Sequence, residues 1–348
     1  MNINSIGERI LDETSSPEEL RDALNAFARL CSDISGIRPD PSFDAWAGDS
    51  LLDSGVAINP QAAAHCALDY QRSAMFIRGV HAAINTLKLR FPDTPLEILY
   101  AGCGPFATLL LPLLGRFTPG ELKISLLDIH QHSLDSVELL LAQFGFGAHA
   151  VHTIKGDACH YKHRKKLHLV IAETMQKSLE QEPQFAVTAN LAPQLLPAGV
   201  FIPQCIEVAL YLADLEHEAE LFRQSQQIDP QALERGSRCY PLAALCTLSP
   251  EHAFDQMCTA RYNTHTAKLE LEPTIVVIPP LDDIARLDAA LFTRIHIFEE
   301  YRLGAYESQI TLPLKCPELV PLVAGKRFRV SYQLGSYPKF NFKRLKSE

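Results

Sequence analysis

The spacing of apolar residues divides the chain into three stretches of different character. Over roughly the first 90 residues the period is helical. Leu20, Ala23, Leu24, Phe27 and Leu30 form an i, i+3, i+4, i+7 stripe. Ser16 followed by Glu19, with Pro17 at the first helical position, has the spacing of a capping box. Residues 31–58, punctuated by Gly36, Pro39, Pro41, Gly48 and Gly55, read as loop. Asn59-Pro60 predicts a helix start, and a long helical pattern runs to about Leu89 with Gly79 as its weak point.

From Leu96 the pattern becomes short apolar runs ending in polar residues: LEILYAGCGPF, LKISLLDIH (122–130), AVHTIKGDA (150–158), LHLVIAET (167–174) and GVFIPQC (199–205). Helical segments such as Ser133 to Phe144 lie between them. This alternation predicts an α/β fold with a parallel, doubly wound sheet. Ligands of such sheets sit outside the carboxyl ends of the strands. After about residue 206 short strand-like runs (IEVALYLA, TIVVIPP, SQITLPL, RFRVSYQLG, FNFKRL) predict an antiparallel sheet or barrel. A polar helical insertion is expected at about 214–237. The expected organisation is therefore residues 1–90, 91–205 and 206–348.

Length agrees with this division: 348 residues exceed one domain of about 150. Apolar residues make up 47% and charged residues 21%, enough for a substantial core. A net charge of −9 makes a nucleic-acid backbone an unfavourable partner, because phosphates need a positive field. The nine cysteines form no CxxC pair and no Cys/His cluster, which predicts reduced thiols in a cytoplasm and no structural zinc. MNINSIGERILDETSS is too polar for a signal peptide, and no run of 18 apolar residues predicts a membrane span. His130 and His132 lack a third ligand at metal spacing, so no metal is expected. The basic run 160–166 reads as a solvated turn.

The candidate chemistry lies at successive strand ends. Gly102 and Gly104 close the first run in a turn where backbone can approach a ligand. Asp128, followed by Ile129, ends the second run, where an acid is suited to a ribose diol. Asp157, followed by Ala158, ends the third, where a carboxylate can accept from an adenine amino group. Cys103 reads as a small packing residue, since no histidine partner is evident.

The order LYAGCGPF, LLDIH, KGDA, ETM resembles class I S-adenosylmethionine (SAM) enzymes. It departs from their pattern at Tyr100, which replaces the usual acid, and at Phe106, which replaces the usual third glycine. LDYQRSAMFIRGV (68–80) is similar to the helix that folds over SAM in protein arginine methyltransferases, so residues 1–90 would be a helical lid. That resemblance implies Arg72, preceded by Asp69 and Tyr70, as the partner of the SAM carboxylate. AETMQKSLEQEP (172–183) resembles the family's double-glutamate loop, with Glu173 and Glu182 at its spacing. The same likeness implies a homodimer through the inserted arm. The family's Thr-His-Trp string has Thr264-His265-Thr266 as its nearest counterpart, without the tryptophan.

Over about residues 50–345 the chain looks like the bacterial azetidine-2-carboxylate synthases, methyltransferase-like enzymes of peptide natural-product pathways. That resemblance implies cyclisation of SAM: the α-amine attacks Cγ and methylthioadenosine leaves. The amine, with an ordinary pKa near ~8, must be neutral to attack, and Glu173 is the candidate proton acceptor, with Glu182 and Tyr70 beside it in the catalytic set. Tyr70, Tyr100 and Phe106 would offer π-faces to the sulfonium, and Phe106 would crowd the pocket. The alternatives are an N-methyltransferase of a small molecule or peptide, an aminocarboxypropyl transferase, or a non-enzymatic SAM sensor.

Overall fold

The computed structural model describes residues 1–39, 49–225, 238–264 and 267–346. Helix α1 (Ile3–Leu11) buries Ile3, Ile6 and Ile10. Helix α2 (Pro17–Ser35) begins with the predicted capping box: Glu19 N–H donates to Ser16 Oγ at 3.2 Å, and Ser16 N–H to Glu19 Oε2 at 2.9 Å. Its stripe of Leu20, Ala23, Leu24 and Phe27 is buried. Within the stretch read as loop lies a hairpin of β1 (Ser50–Leu52) and β2 (Gly55–Ala57), paired antiparallel around a two-residue turn. Residues 40–48 lie outside the described residues.

The long helical pattern is two helices, α3 (Pro60–Cys66) and α4 (Tyr70–Arg90). The break falls at 67–69, where Asp69 caps α4, and not at Gly79. Gly79 has a packing role instead. A Cβ there would lie 2.6 Å from Ile297 Cγ2, so the missing side chain lets α4 lie close on the C-terminal sheet.

The central sheet consists of β3 (Leu96–Ala101), β4 (Leu122–Asp128), β5 (Ala150–Lys155), β6 (Leu167–Ala172) and β7 (Leu195–Ile202). All pairs are parallel, in the order β5-β4-β3-β6-β7. Helices α5 (Gln131–Gln143) and α6 (Gln184–Leu191) connect strands within it. The order reverses between β3 and β6, which places the ligand crevice at their carboxyl ends. Both faces are covered, so β6 has every residue buried and reads as a continuous apolar run.

The C-terminal part contains β8 (Cys205–Ala213), α7 (Leu215–Ser225), β9 (Cys239–Leu248), α8 (Ala253–Thr259), β10 (Arg261–Asn263), β11 (Lys268–Glu270), β12 (Thr274–Val277), β13 (Asp288–Phe298), β14 (Tyr301–Leu303), β15 (Leu314–Lys315), β16 (Arg327–Gln333) and β17 (Lys339–Arg344). They form two antiparallel sheets, β14-β13-β8-β9 with β15 on β13, and β10-β11-β16-β12 with β17 on β16. The fold class is thus a parallel α/β sheet with an antiparallel β-rich C-terminal part. SQITLPL is not a strand over most of its length. Ser308 caps a short 3-10 turn at Gln309–Thr311, and only Leu314–Lys315 pairs. Of the expected insertion, α7 is described and residues 226–237 lie outside the described residues, as do His265 and Thr266. No helix among the described residues is long and apolar enough to cross a membrane.

Candidate functional site

A cavity of about 960 Å³, its open mouth included, lies at the carboxyl edge of the central sheet where β3 and β6 part. Its floor is the turn after β3. Gly102 and Gly104 have φ of 72° and 60°, the left-handed region that favours glycine. A Cβ on Gly102 would lie 2.6 Å from Thr174 Cγ2 and 2.7 Å from the Glu173 carbonyl, so glycine lets this turn pass beside the end of β6.

Asp128 ties the second strand end to that turn. Its Oδ2 accepts the Gly104 N–H at 2.9 Å and its Oδ1 accepts the His130 N–H at 2.8 Å. A carboxylate has about four acceptor sites, so further hydroxyl donors can still be bound. His130 lies 3.4 Å from Asp128 through Nδ1 and 3.2 Å from Ser50 Oγ through Nε2, which links the β1 strand to the same carboxylate. Asp157 accepts the Cys159 N–H at 2.8 Å through Oδ1, closing a tight turn beside Ala158. Gly156, Asp157, Ala158 and Ile129 all line the cavity.

At the opposite end, Arg72 from the first turn of α4 forms an ion pair with Glu173, the residue after β6. Their side chains are only 9% and 16% exposed, so the pair is shielded from water. Asp69 fixes the helix that carries Arg72. Its Oδ2 accepts from Ser308 Oγ at 2.7 Å and from the Gln309 N–H at 2.8 Å.

Glu182 is buried and lines the same cavity. Burial pushes its carboxyl up to about 7, with Asp49 adding to the rise and Arg72 opposing it. The loop between Glu173 and Glu182 is held from several sides. Thr174 donates to Gln184 Oε1 through N–H at 3.1 Å and through Oγ1 at 2.8 Å. Ser178 N–H donates to Thr293 Oγ1 at 3.2 Å, and the Tyr332 hydroxyl to the Leu179 carbonyl at 2.5 Å. The Gln181 N–H reaches the Pro338 carbonyl at 2.8 Å, while its own carbonyl accepts Val56 N–H at 2.8 Å. Ser178, Leu179 and Gln181 all have positive φ, so this loop is strained and kept so by the β-rich part and the hairpin.

Tyr100 lines the cavity, and burial holds its hydroxyl well above the ordinary range. Burial also raises the thiols of Cys66 and Cys103, which suits packing and not a thiolate nucleophile. All nine cysteines are free thiols. Among the described residues no group of three metal-ligating side chains is found.

The cavity thus brings together Arg72, Tyr100, Gly102, Gly104, Asp128, Ile129, Asp157, Ala158, Glu173 and Glu182. It does not bring in Phe106 or Tyr70. The Phe106 ring packs edge-on against Phe27, centroids 6.3 Å apart, in the core beneath α2. The Tyr70 ring lies under the Arg21 guanidinium, 5.1 Å from its centroid. Sequence reasoning missed the hairpin, whose Leu52, Val56 and Ala57 form one wall. Its signal was present in LLDSGVA, two apolar runs around a turn ending in glycine. Asn59, read only as a helix start, also anchors Asp49, whose Oδ1 accepts its N–H at 2.7 Å and its Nδ2 at 2.8 Å.

No family model and no curated protein matches the chain. Among solved structures it is similar to the Trypanosoma brucei PRMT1 enzyme–prozyme heterotetrameric complex with AdoHcy, at 13% identity and a TM-score of 0.43, over 80% of this chain and 96% of that one. It is also similar to protein arginine methyltransferase 10 of Arabidopsis thaliana in an open conformation, at 11% identity and a TM-score of 0.41, over 76% of this chain and 87% of that one.

Proposed function

We propose that the cavity binds SAM and that the chain is a SAM-consuming enzyme that closes SAM to azetidine-2-carboxylate and methylthioadenosine. The observation that supports SAM binding is the distribution of polar groups along one crevice: two acids at the ends of β4 and β5, and a shielded Arg–Glu pair at the opposite end, while the cyclisation rests on the whole-chain resemblance. The donor set fits the molecule. Asp128 retains acceptor sites for a ribose diol, and Asp157 for an adenine amino group. Arg72 would hold the α-carboxylate by paired hydrogen bonds. Glu173 and Glu182 would face the α-ammonium. Tyr100 would present its ring to the sulfonium, a contact of about 0.5–2 kcal/mol.

SAM supplies a sulfonium that makes its Cγ electrophilic, so an amine held in line with the C–S bond can displace methylthioadenosine. The chain's own work is to bend and fix the amino-acid end, exclude water and accept one proton. The cofactor is therefore the substrate, and no metal is needed. The reading carries with it a cytoplasmic homodimer joined through the arm that begins with α7, and a division into lid (1–90), SAM-binding part (91–205) and β-rich part (206–348).

A second reading is methyl transfer to an external amine, favoured by the two glutamates at one end of the cavity, which would also grip a cationic acceptor. The fate of label separates the readings. With SAM labelled in the methyl group, cyclisation leaves all label in methylthioadenosine, whereas methyl transfer moves it to the acceptor. With the carbon chain labelled, an aminocarboxypropyl transferase would place that label on an acceptor, and a cyclase in the free four-membered ring.

A further inference from the structure

We infer that Glu182 is the group that takes the proton from the α-ammonium of SAM and returns it to solvent through a second, smaller cavity that it also lines; this rests on the cyclisation reading above. Glu173 was the candidate from sequence, but its carboxylate is committed to Arg72. Glu182 instead lines two cavities at once. The second holds about 240 Å³, its opening included, and is walled by Ser54 of the hairpin turn, Phe185 and Ala186 of α6, Met257 of α8, and Leu334 and Gly335 before β17. A carboxyl that lines both cavities is placed to pass a proton from one to the other.

The charged and titratable groups around Glu182 favour a proton acceptor that can also release. Arg72 from α4 favours the carboxylate, and Asp49 ahead of β1 opposes it. The Cys66 thiol from α3 is kept neutral by burial. The walls from α6, α8 and the turn before β17 contribute only uncharged residues. These influences leave the group near neutrality, matched to an amine with an ordinary pKa near ~8.

The step balances. The α-ammonium gives one proton to the Glu182 carboxylate. The freed nitrogen pair forms the N–Cγ bond, and the Cγ–S pair leaves with methylthioadenosine. The product ring retains its two remaining nitrogen hydrogens as a secondary ammonium. Glu182 then loses its proton to solvent, so one proton is released per turnover.

The test has a readout that needs no turnover. AdoHcy carries the α-ammonium but cannot cyclise, and methylthioadenosine lacks it. Calorimetric titration at pH 7 in two buffers of different ionisation heat counts protons exchanged on binding. AdoHcy should expel up to about half a proton from the wild-type protein, because its ammonium forces Glu182 to ionise. Methylthioadenosine should expel none, and Glu182→Gln should bind AdoHcy with no release. In turnover, Glu182→Gln should slow methylthioadenosine formation by about 10²–10⁴-fold. Glu182→Asp, the less disruptive variant, should keep the pH-dependent limb of kcat/KM at a reduced rate. Ser54→Leu, which fills the outlet, should lower kcat with AdoHcy affinity unchanged. Equal proton release from Glu182→Gln, full activity of that variant, or an unchanged kcat in Ser54→Leu would overturn the assignment. Failure of AdoHcy to bind the wild-type protein would instead remove the SAM reading beneath it.

Discussion

The Asp128 carboxylate and the Gly104 backbone N–H are joined by a hydrogen bond of 2.9 Å, which locks the ends of two adjacent parallel strands into one side of the cavity. The acid shapes the glycine turn and, in the proposed SAM reading, would also present acceptors to a ribose. Asp128→Ala removes both. Affinities for AdoHcy and for methylthioadenosine, which share the ribose, should fall together by about 10–100-fold, a loss of about 1.5–3 kcal/mol. Calorimetry on both ligands checks this, and a loss confined to AdoHcy would place the ribose elsewhere.

The opposite end of the cavity should discriminate between those same ligands. Arg72→Ala should weaken AdoHcy at least tenfold and leave methylthioadenosine unchanged, because only AdoHcy has a carboxylate for Arg72 to hold. The variant also leaves Glu173 as a shielded, unpaired charge, so chemical denaturation should show a loss of about 3 kcal/mol or more. Glu173→Gln leaves the shielded Arg72 without its partner carboxylate and should likewise lower stability in chemical denaturation.

Glycine at 102 is a steric necessity. Gly102→Ala places a methyl 2.6 Å from Thr174 Cγ2 at a left-handed φ, and should cost at least about 2 kcal/mol. Gly120 provides the control. Its φ is also positive, at 99°, but a Cβ there meets nothing within 4 Å. Gly120→Ala should therefore cost only about 1 kcal/mol, for the backbone alone. Equal destabilisation by the two changes would remove the role of close approach at Gly102.

Glu182 makes stability depend on pH in a stated direction. Its folded value, about 7, lies above the ordinary 4.5, so the folded chain holds the proton more tightly than the unfolded chain. Below about 4.5 both states are protonated and the group costs nothing. As pH rises from 4.5 to 7 stability falls, and above 7 the full cost of about 3 kcal/mol is present. Glu182→Gln should then be the more stable protein at pH 8, by up to that amount, with the difference disappearing near pH 4.5. A melting-temperature difference that does not change over this range would contradict it.

Much of this was legible in the sequence, for identifiable reasons. The runs that form β3, β4 and β6 are buried parallel strands, and such strands read as apolar words whose last polar residue marks the ligand edge, while β5 at the sheet edge is half-buried. The local cap of α2 was equally plain, because a capping box is set by residues three apart. What failed depended on distant contacts. The place of Gly79 is decided by Ile297, far along the chain, and the long helix breaks instead where Asp69 is held by Ser308. Strand β13 is buried on both faces over 289–293 and alternates only beyond, with Arg294 and His296 exposed, and β9 carries Pro241 and two register shifts. The resemblance to SAM enzymes implies a ligand-facing place for Phe106, yet its ring turns into the core against Phe27. That Arg72 pairs with Glu173 was likewise invisible, since it depends on how α4 meets the end of β6.

The most direct measurement incubates the pure protein with SAM and no other molecule, then quantifies products. Cyclisation predicts methylthioadenosine and azetidine-2-carboxylate in equal amounts, one of each per SAM consumed. No consumption of SAM until an amine acceptor is added, followed by AdoHcy as the nucleoside product, would contradict it.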